Sequence, residues 1–80
     1  MGSSSKKPND DAEAWFNMGF QLGEKGDTKN AMECYDRAIE IDPNLARAWL
    51  NKGVLYDNQG DAENAMKCKD KAKELGFHDG

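Results

Sequence analysis

The chain has 80 residues and a net charge of −4, from 11 Lys plus Arg against 15 Asp plus Glu. One small domain of this length has a marginal core and depends on close packing or a partner. The acidic balance argues against nucleic acid, which asks for a basic footprint. No apolar run approaches the ~20 residues of a membrane span.

The start, Met1-Gly2-Ser3-Ser4-Ser5, lacks a signal peptide's apolar stretch, and residues 1–9 are expected to be an expression leader without stable structure. Lys6 stands where a myristoylation signal wants Ser or Thr. Pro8-Asn9-Asp10 then opens the first predicted helix, with Asp10 and Glu13 as its cap pair. Trp15, Met18, Gly19 and Leu22 follow at helical spacing, and Gly23 and Gly26 end the segment. Asp27 caps a second helix carrying Ala31, Met32, Tyr35, Ala38, Ile39 and Ile41. Asp42-Pro43 stops it, because the residue before proline resists helical geometry. Asn44 opens a third helix, with Trp49, Gly53 and Tyr56 as its inner stripe, and Gly60 closes it. Asp61 caps a fourth, with Ala65, Met66, Ala72 and Leu75, and Gly76 takes the place of a C-terminal cap. The fold class is therefore all-α: two helix hairpins, four antiparallel helices.

These segments are two copies of one unit. A step of 34 residues takes Trp15 to Trp49, Gly19 to Gly53, Gly26-Asp27 to Gly60-Asp61, Asn30-Ala31-Met32 to Asn64-Ala65-Met66 and Cys34 to Cys68. Self-similarity at a fixed period marks a repeat architecture, and repeats build recognition surfaces more often than active sites. Gly19 and Gly53, facing Ala31 and Ala65, let the paired helices approach closely. Two cysteines at equivalent places do not make a disulfide framework and point to a reducing, cytoplasmic compartment.

The pattern resembles the tetratricopeptide repeat family, carried by Trp15, Met18, Gly19, Leu22, Ala31, Tyr35, Ala38 and Pro43 in residues 10–45. Trp49, Gly53, Tyr56, Ala65 and Ala72 carry it in residues 46–79. The resemblance implies a short α-solenoid. Lys69 and Lys73 stand where the first repeat has Tyr35 and Ile39, so the second repeat is expected to cap its own array with a polar outer face. Lys52 replaces a Leu-like residue and is expected to lay its stem on apolar surface with its head in water.

The resemblance further implies a concave face lined by Glu13, Phe16, Asn17, Phe20, Gly23 and Glu24 from one repeat. The other repeat would add Arg47, Leu50, Asn51, Val54, Asp57 and Asn58. The residues themselves support a second apolar stripe there. Phe16 and Phe20 lie four apart, about 100° round from Trp15 and Gly19, and Leu50 and Val54 are their copies. Left uncovered, these four make an interaction patch rimmed by Glu13, Asn17, Arg47, Asn51 and Asp57. Alternatively, packing between repeats sets Phe16 near Leu50 and Phe20 near Val54 as core.

The expected function is non-enzymatic binding of a short peptide or helix by this groove. The alternatives are a homodimer paired through the same groove, or a fragment of a longer scaffold. The carboxylate clamp by which some family members hold chaperone C-terminal tails is not matched: only Asn51 falls on a clamp position, and Phe16 and Phe20 replace a Lys and an Asn. No cofactor or metal is expected, since Cys34, Cys68 and His78 fall short of about four ligands at workable spacing.

Overall fold

The computed structural model describes residues 11–76, and within them the chain forms α1 (Ala12–Glu24), α2 (Thr28–Ile41), α3 (Ala46–Asn58) and α4 (Ala62–Glu74). The expected leader, Asp10 as a cap, and Phe77 and His78 lie outside the described residues. α1 packs along α2, α3 packs along α4, and α2 joins the two hairpins through α3. The all-α hairpin solenoid of the sequence pattern is thus observed.

The hairpin turns are built twice from the same parts. At the end of α1 the Gly26 N–H donates to the Gly23 carbonyl at 3.0 Å and the Asp27 N–H donates to the Leu22 carbonyl at 2.9 Å. This two-bond closure satisfies orphan carbonyls and needs a left-handed residue, which Gly26 supplies at φ +86°. Gly60 and Asp61 repeat it on Asp57 and Tyr56. The next residue is already the cap of the following helix. Asp27 accepts from the Asn30 N–H and from Asn30 Nδ2, and Asp61 does the same for Asn64. Closure of one helix and opening of the next therefore share a Gly-Asp pair. Asp27→Ala or Asp61→Ala is expected to cost about 1 kcal/mol, read as a lower urea midpoint at unchanged slope.

Three expectations are corrected. The α1 cap is Asp11, whose carboxylate accepts from the Glu13 N–H at 3.0 Å, one residue beyond the expected Asp10. Gly23 lies inside α1 rather than ending it. Asn44 does not cap α3: Leu45 stands at that position with no side-chain bond, and Asn44 instead donates its N–H to Asp42. The Trp49 indole N–H donates to the Pro43 carbonyl at 2.9 Å and ties this entry loop to the helix.

The core forms around α2. Ala31, Tyr35 and Ala38 are buried there with Ala12 and Phe16 from α1 and Ala48 and Leu55 from α3, while Trp15, Met32, Ile39 and Leu45 pack against them. Two glycines set the spacing inside the hairpins. A Cβ on Gly19 would come within 2.9 Å of the Tyr35 ring and 3.1 Å of Cys34 Cβ. A Cβ on Gly53 would meet the Ala65 carbonyl and Lys69 Cγ at 3.0 Å each. The Lys69 stem thus fills, over Gly53, the space that the Tyr35 ring fills over Gly19. Met18, expected on the inner stripe, is instead exposed.

Candidate functional site: a cleft between the first helices

α1 and α3 each carry residues at i, i+4, i+7 and i+11 on one face, and such positions line up along a helix. On α1 these are Glu13, Asn17, Phe20 and Glu24; on α3, one repeat on, they are Arg47, Asn51, Val54 and Asn58. Toward the C-terminal ends of both helices lies a cleft of about 170 Å³, lined by Phe20, Gly23, Glu24, Tyr35, Asn51, Val54, Leu55 and Asn58. Phe20 is 49% exposed and Val54 44% exposed, so two large apolar side chains face water across it. Tyr35 and Leu55 form its buried floor. Asn51 Nδ2 donates to the Tyr35 hydroxyl at 3.3 Å, which orients the amide and leaves its other hydrogen and its carbonyl oxygen for further bonds. Burial pushes the Tyr35 hydroxyl above its ordinary pKa against the bond from Asn51, so it stays protonated at neutral pH.

The site residues expected from sequence divide into three groups. Phe20, Asn51 and Val54 come together in the cleft, with exposed Asn17 in line beside them. Glu13 and Arg47 meet at the other end of the same face, 3.1 Å apart, and the Arg47 guanidinium lies 5.2 Å from the Phe16 ring centroid. Leu50 and Asp57 belong elsewhere, lining a second cavity against α4 with Asp57 paired to Lys69. Phe16 itself requires a correction. Expected as an open groove residue, it is 9% exposed, packed on Tyr35 at 5.7 Å between centroids and roofed by Arg47. It is core at the seam between repeats, the alternative that packing between repeats offered.

Tyr35 and Leu55 in the floor were not expected from sequence. Tyr35 reads there as a scaffold position, and its hydroxyl becomes visible as a polar group only once α3 brings Asn51 alongside. Lys52 was expected to snorkel into water. It bridges the repeats instead, 2.6 Å from Asp36, with its ammonium 5.7 Å from the Trp49 ring centroid. Burial pulls the Lys52 pKa down, but the bond to Asp36 and that carboxylate's charge outweigh burial and hold it above the ordinary lysine value.

The remaining chemistry is muted. Cys34 and Cys68 are free and buried. Burial, then Glu33 and Asp27, raise the pKa of Cys34; burial raises that of Cys68 against the opposing charge of Lys52. Both remain thiols rather than nucleophilic thiolates at neutral pH. Among the described residues no three His, Cys, Asp or Glu side chains are grouped to hold a metal ion, and no helix is long and apolar enough to cross a membrane.

Comparison with known proteins bears on the repeat fold. A family model described as "TPR repeat" matches residues 21–60, and one described as "Tetratricopeptide repeat" matches residues 46–75. No curated protein sequence matches significantly. Among solved structures, one titled "Crystal structure of MamA" superposes with a TM-score of 0.78 at 31% identity, covering 80% of this chain and 37% of that one. A second, "Crystal structure of MamA protein", gives 0.75 at 31% identity over 80% and 35% of the respective chains. The chain thus spans little more than a third of the length of either. The first family match covers half of the chain, from the end of α1 through α2 and α3, and the second takes in α3 and α4: the chain belongs to the tetratricopeptide repeat family.

Proposed function

We propose that this chain, a protein–protein interaction module by family, holds a short peptide in the α1–α3 cleft. The observation that carries the reading is the pair of exposed apolar side chains, Phe20 and Val54, standing over a buried floor of Tyr35 and Leu55, with the half-buried Asn51 amide bonded to the Tyr35 hydroxyl. An apolar anchor of the peptide sits between Phe20 and Val54. Asn17 and Asn51 bond its backbone, and Glu24 favours a basic residue beside the anchor. Glu13 and Arg47 already satisfy each other, so they shape the far end of the face and select charge only by opening their pair. Free, buried Cys34 and Cys68 suit a reducing, cytoplasmic setting. The module works without catalysis.

A library of short peptides, each with one apolar residue and varied flanking charge, tests the reading by amide chemical-shift mapping. Bound peptides are expected to perturb Phe20, Asn51 and Val54. Burial of a Phe side chain stabilises by about 1.5–3 kcal/mol, so Phe20→Ala is expected to weaken binding at least roughly tenfold, with unchanged helical circular dichroism. Equal binding by Phe20→Ala, with shifts mapping outside the cleft, would reject the assignment.

A further inference from the structure

We propose that the α3–α4 end of the molecule seats α1 of a second copy, so that the chain assembles head to tail. The cavity at this end, about 440 Å³, is lined by Leu50, Ala62, Ala65, Met66, Lys69 and Lys73, among others. Met66 is 63% exposed. One repeat earlier, the counterparts Phe16, Ala31 and Tyr35 are buried, with Met32 and Ile39 packed against them. The element that covers them is α3. The occupant of the open end is therefore a helix placed as α3 is placed, and α1 is the chain's own copy of α3.

The charges support that occupant. Moving both partners of an internal contact by one repeat gives the pair that would meet across the proposed seam. Glu13 bonded to Arg47 becomes Arg47 facing Glu13 of the second copy, opposite in sign, so that the pair each chain already makes extends into an alternating row. Tyr35 accepting from Asn51 becomes Lys69 facing Asn17, with the ammonium paired to Asp57 and turning a further hydrogen to the amide oxygen. Ile39 and Leu45, both packed on the internal core, become Lys73 and Asp11, an opposite pair where two apolar groups stood. The lysines that make this end a poor seat for an apolar helix thus match the polar groups along α1. The Lys52–Asp36 bridge does not carry over, because Met18 stands at the Lys52 position and would face Asp70. The seam is consequently weaker than the internal one.

A head-to-tail contact does not close on itself, so the array keeps growing with concentration. Sedimentation velocity from micromolar to millimolar protein is expected to show mass rising beyond two copies. Met66→Glu, a change at an exposed position, is expected to keep the chain monomeric with its helical spectrum intact. Met18→Lys supplies the missing partner for Asp70 and is expected to strengthen assembly several-fold. Phe20→Ala leaves assembly unchanged. A monomer at every concentration, meaning the lysines close the end, would overturn the proposal. A plateau at two copies that Phe20→Ala abolishes places the contact in the groove and overturns it as well. So does assembly that Met66→Glu leaves intact or Met18→Lys leaves unstrengthened.

Discussion

Phe16→Ala is expected to lower folding stability by about 3 kcal/mol, while Phe20→Ala changes it by no more than about 0.5 kcal/mol. The two side chains are one helical turn apart on the same helix. Phe16 is 9% exposed and held between Tyr35 and Arg47, so truncation removes buried area and leaves a void under the Arg47 guanidinium. Its remaining exposure puts the loss near the lower end of the range for buried aromatics. Phe20, 49% exposed, surrenders little. In a domain of this size about 3 kcal/mol lowers the melting midpoint by roughly 12–24 °C. Thermal unfolding of the two variants side by side checks the assignment. A Phe20→Ala midpoint as low as that of Phe16→Ala would mean that the cleft residue is core too. Binding reads the opposite way: Phe20→Ala loses peptide and keeps its fold.

This pair also marks how far the sequence could be read. The 34-residue step, the Gly-Asp turns, Asp27 and Asp61 as caps, and the small residues Gly19, Gly53, Ala31 and Ala65 are local or pairwise features. Each is fixed by backbone geometry or by a helix-to-helix distance, and each was legible. Periodicity along one helix gives the angle at which Phe16 and Phe20 project, and that angle differs by only about 40° between them. It carries no information on which neighbouring helix covers that angle at a given height. Phe16 packs on the Tyr35 ring beneath Arg47, whereas Phe20 lies one turn further along α1 and lines the cleft. Lys52 and Lys69 were opaque for a related reason. A lysine in an aromatic or leucine position reads as solvated, and only the fold shows Asp36 and Asp57 waiting for it. Asp36 lies in the other repeat, so the Lys52 bridge is a long-range contact that no local pattern signals.

Tyr35→Ala is expected to have the largest effect of any single truncation, about 4 kcal/mol, because Tyr35 joins three parts of the molecule at once. It is 2% exposed, packed at a tilt against the Phe16 ring, fitted against the backbone of Gly19, and bonded to Asn51 across the repeat seam. Total stability near 0.05–0.15 kcal/mol per residue amounts to roughly 4–12 kcal/mol for a chain of this size, so the variant stands close to unfolding. Tyr35→Phe isolates the polar share. It keeps the ring over Gly19 and removes only the acceptor of the Asn51 amide, with an expected cost of about 1 kcal/mol. A double-mutant cycle with Asn51→Ala, followed by urea denaturation, measures that coupling directly. Additivity within about 0.3 kcal/mol would show that the seam is held by packing alone. Tyr35→Lys discriminates further, since the second repeat already carries Lys69 at this place. Lys69 is tolerated because Asp57 stands beside it, whereas the counterpart of Asp57 in the first repeat is Gly23. A lysine at position 35 could lay its stem over Gly19 but would find no carboxylate at Gly23, only the exposed Glu24 at the cleft rim, and would lose the ring packing on Phe16. Tyr35→Lys is therefore expected to destabilise nearly as much as Tyr35→Ala. A wild-type urea midpoint for that variant would mean that the stem alone fills the ring's role.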